Sequence, residues 1–329
     1  MSESIYSWIK AGLIKPEQVQ QGLEMAGQRP NRPSWLEFIK VILILMGLLS
    51  LAFGVVFFFA YNWNEMNRMF KFITLQVVLV GLFVLYIVKA KSNGLSQALL
   101  LAGVVILGAL LALFGQTYQT GADPWQLFST WALLITPMVL FCRSEALWIV
   151  MAVLLNTALS LYLHVNRSFF GMSFLIDHLP WVFLLLNTVL LACVEWLSQP
   201  QEKWLQEFAL SHRWAAQVLA ALVICILAVM GLEAIWGGAS MRGVNLLFYM
   251  LFMAATFAFY RYVHKDLLLL TAWALALIVF ILALLANTVF DNFDAGGLLL
   301  MAISLIAMSA FAVSRIKKIH GLFKAEKSS

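Results

Sequence analysis

The chain has 329 residues, of which 63% are hydrophobic and only 11% charged, and its mean hydropathy is +0.91. A soluble domain carries about 25% charged residues, so a water-soluble domain of ordinary size is excluded and only residues 1–36 have the polarity for a small one. The net charge of +5 does not point to a nucleic-acid partner, because membrane proteins gather Lys and Arg beside their apolar runs.

Residues 1–36 read as a cytoplasmic amphipathic helical head and linker. Ile5, Trp8 and Ile9 share one face at helical spacing, and Gly12 interrupts that run. Pro16 can open a second short helix, in which Val19, Leu23 and Ala26 share a face. Pro30 and Pro33 form a stiff linker to the first span. The polar segment ahead of Phe38 has no short apolar core followed by a small-residue cleavage site, so the first span is expected to be retained.

Apolar runs long enough to cross a bilayer, at roughly 20 residues each, follow at 38–61, 71–89, 95–115, 125–142, 145–164, 179–197, 213–236, 244–263, 267–289 and 297–314. The fold class is therefore all-α: a polytopic integral membrane bundle of about ten transmembrane helices, 37–316, with a basic cytoplasmic tail, 317–329. Pro180 suits the first turn of the sixth span, whereas Pro137 lies inside the fourth and predicts a kink. With the N-terminus in the cytoplasm, ten spans place 17 of the 21 Lys and Arg inside and 4 outside. A missed span would reverse every later loop, so the positive-inside rule supports an even count with both termini cytoplasmic. The expected location is the bacterial inner membrane, with the lipid bilayer and another membrane protein as partners.

The most distinctive stretch joins the third and fourth spans: Gly115, Gln116, Thr117, Tyr118, Gln119, Thr120, Gly121, Ala122, Asp123, Pro124 and Trp125, continuing to Phe128. It has no basic residue, a single carboxylate, several amides and hydroxyls, and flanking aromatics at interfacial depth. One reading is an interfacial hairpin whose polar groups cap two helix ends. The other is a re-entrant or partner-facing outer loop with Asp123 as its charge. This stretch, with Trp-Ala-Leu-Leu at 131–134 and Trp8-Ile9-Lys10-Ala11-Gly12 before it, resembles a bacterial membrane family catalogued as domain of unknown function 2157. The resemblance covers roughly residues 5–140 and implies a multi-pass inner-membrane protein with a short cytoplasmic helical head. It implies no activity and supplies no catalytic residues.

Polar residues inside spans cost free energy unless paired, which makes them candidates for function. Three Asn-Thr pairs recur: Asn156-Thr157, Asn187-Thr188 and Asn287-Thr288. The first two fall near mid-membrane on adjacent spans, where they can glue helices or line a polar substrate or ion site. Gln76 and Gln217 carry the same two readings. Glu195 and Glu233 lie near span ends, where both can snorkel to water, so neither demands a proton-relay role. Asp291 and Asp294 stand three apart beside Gly296 and Gly297, without the alternating ligands and closing Glu of a calcium loop. The three cysteines lack paired spacing and the five histidines do not cluster in sequence. No cofactor and no catalytic or metal-binding constellation is expected.

Three functions fit this inventory. The first is a non-catalytic subunit or scaffold of a membrane complex, which the lack of catalytic chemistry favours. The second is a secondary transporter of a small polar solute, built as two inverted five-helix halves. The third is a membrane-embedded enzyme acting on lipid or glycan, with Asp123, Asp177, Asp291 and Asp294 converging.

Overall fold

The computed structural model describes residues 8–9, 13–25, 32–61, 66–89, 93–119, 121–166, 179–198, 209–210, 213–236, 242–289 and 295–328. Among them the chain is helical, without a strand, and ten helices are long and apolar enough to cross a membrane. It packs as two compact units, Met1–Ala122 and Asp123–Lys327.

In the first unit a 3-10 turn, Pro16–Gln18, leads into α1, Val19–Met25. Pro16 at the start of the turn loses no helical hydrogen bond, and α1 buries Leu23. The three long helices are α2 (Arg32–Tyr61), α3 (Arg68–Lys89) and α4 (Asn93–Tyr118). The helix α2 begins earlier than the apolar run alone indicates, with Pro33 in its first turn instead of in a linker. Packed between α2 and α3, α4 contributes Ala102, Ile106 and Leu113 to a core shared with Ala52 and Leu75. Gly94 lets α4 approach α2, because a Cβ there would lie 2.9 Å from Val41 Cγ2.

The second unit holds α5 (Pro124–Phe141), α6 (Glu145–Val165), α7 (Leu179–Ser198), α8 (Trp214–Trp236), α9 (Arg242–Ala258), α10 (Leu267–Val289) and α11 (Ala295–Ser328). Its centre is α8, which packs against α6, α7, α9 and α10. A helix surrounded by others must be apolar all round, and α8 buries Ala216, Ala220, Ile224, Leu227 and Met230. Gly231 admits the rings of Tyr249 and Phe280, each with a carbon 2.9 Å from where a Cβ would be. The helix α5 runs unbroken through Pro137, with the Thr136 hydroxyl donating to the Ala132 carbonyl at 2.9 Å. Beyond the expected end of the last span, α11 stays helical to Ser328, so the basic tail continues that helix.

Candidate functional site

The Gly115–Phe128 stretch is more helical than a hairpin loop. Gly115 to Tyr118 form the last turn of α4, and α5 starts at Pro124. Gln119 (φ 43°) and Gly121 (φ 64°) take left-handed backbone, which turns the chain sharply after the helix. Thr120 lies outside the described residues. Five connecting residues reach at most about 17 Å when extended, too short for a deep re-entrant excursion. Asp123 is the N-cap of α5 by backbone, its carbonyl accepting the Gln126 N–H at 3.0 Å, but its carboxylate makes no capping bond. The boundary between the two units falls at Ala122, so the motif divides. In the first unit Tyr118 packs on Phe114 and Phe72, and Gln116 lines a cavity of ≈ 350 Å³ with Ala60 and Leu113. In the second, Trp125 meets Tyr162 edge to face at 5.0 Å, its buried Nε1 without a hydrogen-bond partner among the described residues.

Asn156 on α6 and Asn187 on α7 form a closed amide pair. Asn156 Nδ2 donates to Asn187 Oδ1 at 2.9 Å, and Asn187 Nδ2 donates to Asn156 Oδ1 at 2.8 Å. Each amide nitrogen also donates to a carbonyl of its own helix, Ala152 and Phe183 respectively. All four N–H groups are therefore bonded, and Asn187 is fully buried. Thr157 donates to the Val153 carbonyl on an exposed face, while the buried Thr188 hydroxyl has no partner among the described residues. Asn287 is exposed near the end of α10 and does not join the pair. Asp177, Asp291 and Asp294 lie outside the described residues.

A larger polar assembly sits where α6 and α8 begin, α7 and α9 end, and α10 begins. Its buried carboxylates are Glu145, Glu195 and Asp266. The start of α8 leaves orphan N–H groups and a positive dipole end. Glu145, at the first position of α6, supplies the missing acceptor from another helix: the Ala215 N–H donates to its Oε2 at 3.1 Å. Arg213, whose carbonyl accepts the first α8 hydrogen bond from Gln217, turns its guanidinium to Glu195 on α7. One nitrogen donates to both Glu195 oxygens, at 2.8 and 2.9 Å. His264 Nδ1 stands 3.7 Å from Glu195 Oε2.

Asp266 owes its place to the end of α9. The last turn widens into a π turn, Phe259–Val263, closed by the His264 N–H donating to the Phe259 carbonyl. Lys265 then takes left-handed backbone (φ 44°), and the Asp266 N–H donates back to the Tyr260 carbonyl at 3.1 Å. This delivers Asp266 directly as the N-cap of α10, its Oδ1 accepting the Leu268 and Leu269 N–H groups at 3.0 and 3.4 Å. Its Oδ2 accepts Gln217 Nε2 of α8 at 2.8 Å. The Tyr260 and Ser144 hydroxyls, close in sequence to these groups, are buried and have no hydrogen-bond partner among the described residues.

The snorkelling reading of Glu195 is corrected here: its side chain is 8% exposed and bonded to Arg213, just ahead of α8. Glu145, Asp266 and Arg213 look like loop or span-end charges in sequence, and spacing alone pairs none of them. The one available signal was position: all fall at the span ends that the charge rule groups on one side. Among the described residues no group of three or more His, Cys, Asp and Glu is placed to hold a metal ion.

Residues 6–148 match the family described as "Predicted membrane protein (DUF2157)". The match spans the first unit, α5 and the start of α6, in agreement with the resemblance carried by the 115–134 stretch. Of the polar assembly it reaches only Ser144 and Glu145. No curated protein and no solved structure matches the chain.

Proposed function

We propose that this membrane protein is a non-catalytic subunit or scaffold that holds another membrane protein in the inner membrane, with both termini in the cytoplasm. The observation that carries this reading is the closed Asn156–Asn187 pair, in which each amide bonds the other and its own helix. A solute pathway needs polar groups that can exchange partners with a substrate, and these two are already occupied. The assembly around α8 supports the same view, since Glu145 and Asp266 accept from helix N-termini and Glu195 accepts from Arg213. The placement of 17 of 21 basic residues on one side supports the orientation. The test is affinity purification of the full chain in mild detergent: a stable stoichiometric partner is expected, and a consistently solitary monomer overturns the reading.

A second reading, proton- or cation-coupled transport, is favoured by the unpartnered Tyr260 and Ser144 hydroxyls on the elements that carry the buried carboxylates. Reconstituted vesicles showing ion flux that Asp266→Asn abolishes would establish it over the scaffold.

A further inference from the structure

The last helix is held to its unit at one end, where Ile319 and Phe323 pack against the buried core of α8, α9 and α10. Elsewhere α10 and α11 border a groove of ≈ 790 Å³, lined by Trp273 and Ile281 on one wall and Ala307 and Phe311 on the other. This is the size of a cavity that takes a discrete ligand. Along α11 the lining runs from Ala307 to Leu322, about 22 Å at 1.5 Å per residue. That is close to one leaflet with its headgroups, half of a bilayer about 40–45 Å thick.

The two ends of the groove differ in chemistry. Its deeper lining is hydrocarbon and aromatic, whereas Arg261, Arg315 and Lys318 line the end beside the π turn, and among the described lining residues there is no carboxylate. The two arginines lie against ring faces: Arg261 over Phe323 at 4.9 Å and over Tyr262 at 5.2 Å, Arg315 over Phe311 at 5.0 Å. Stacking fixes a guanidinium plane and leaves its edge free to donate to an oxyanion. Three cations above an apolar slot of leaflet depth complement one class of molecule, an amphiphile with an anionic head.

We infer that this groove binds one anionic phospholipid, its phosphate held by Arg261, Arg315 and Lys318 and an acyl chain lying between α10 and α11. The inference is independent of the scaffold reading. Native mass spectrometry of the full chain in detergent tests it, with phosphatidylglycerol or phosphatidylcholine added to the micelles. The expected result is one tightly retained phosphatidylglycerol and at least about tenfold weaker retention of phosphatidylcholine, since each basic side chain near an anionic headgroup contributes about fivefold. Arg261→Gln with Arg315→Gln and Lys318→Gln should abolish the preference, and Ala312→Trp should displace the lipid by filling the groove without altering charge. Lys317→Gln, a neighbouring cation outside the lining, should leave the preference intact. Equal retention of the two lipids by the parent protein overturns the inference. So does a loss with Lys317→Gln as large as with Lys318→Gln, or the same thermal stabilisation by inorganic phosphate alone.

Discussion

In the unit Met1–Ala122, α4 meets α2 and α3 through a core of Ala52, Leu75, Ala102, Ile106 and Leu113, all apolar. In Asp123–Lys327 the central α8 also packs on apolar side chains, yet its first turn is tied to three other helices by Glu145, Glu195 and Asp266. A second polar tie, the amide pair, joins α6 to α7. The difference is physical. Lipid tails are as apolar as Leu, so helices in a bilayer gain little by burying Leu against Leu and depend on close packing and interhelical hydrogen bonds. The hydrophobic core of the first unit packs by shape, and that unit also buries Lys71; in the second, directional bonds between helices set their register.

The largest test of that comparison is Arg213→Ala. It leaves the Glu195 carboxylate buried without its cation, and breaking such a pair costs about 3 kcal/mol. The lower end of the usual range applies, because the Arg213 side chain is 27% exposed. Unfolding of the purified protein in detergent should show this loss confined to Asp123–Lys327, with protease cleavage rising there and not in the first unit. A loss spread equally over both units would remove the distinction.

Close packing is compared next, by substituting one glycine in each unit. Gly231→Ala drives a methyl against two rings, Tyr249 and Phe280, whose centroids are 4.5 Å apart and which have little room to move. Gly94→Ala meets first the γ-methyls of Val41, at 2.9 and 3.0 Å. Overpacking costs about 2 kcal/mol in the first case and about 1 in the second, where a rotamer change can relieve it. Equal thermal shifts would mean that the rings yield as easily as a valine.

Smaller still is Asn156→Leu, which orphans the Asn187 amide for about 1 kcal/mol. Adding Asn187→Leu should recover most of that loss, and the double-mutant cycle gives the coupling directly. No recovery would show that the pair contributes packing and not hydrogen bonds. At the bottom of the scale stands Asp123→Asn. Its carboxylate makes no capping bond, so the change in unfolding midpoint should correspond to no more than about 0.5 kcal/mol. A larger effect would give the 115–128 stretch a structural weight that its hydrogen bonds do not indicate.

Much of this architecture is legible along the chain because a span needs only length and continuous apolarity. The first span differs from its helix mainly at the Arg32 end, since Pro33 is as compatible with a first helical turn as with a linker. The 95–115 run stops short of the helix end at Tyr118 because Gln116 and Thr117 are polar, yet polar residues near headgroup depth can complete a last turn. The site is less legible. Asn156 and Asn187 stand out as polar residues in apolar runs, but nothing along the chain says that each is the other's partner. Glu195 reads as a snorkelling span-end acid because its cation, Arg213, lies 18 positions away, just ahead of another helix. Asp266 reads as a loop charge because the π turn and the left-handed Lys265 that carry it into a cap leave no residue-type signature.

The sequence by itself determined that the chain is a membrane protein with about ten apolar runs long enough to cross a bilayer, because hydropathy is a property of each segment alone. Which groups meet was decided only by the tertiary structure. The ring of contacts at the start of α8 needs five helix ends in one place. The groove beside Arg261, Arg315 and Lys318 exists because α11 meets its unit's core at one end and leaves space against α10 along the rest. Pairing and cavity shape depend on helix rotation and depth, and many arrangements of the same ten segments satisfy the same hydropathy.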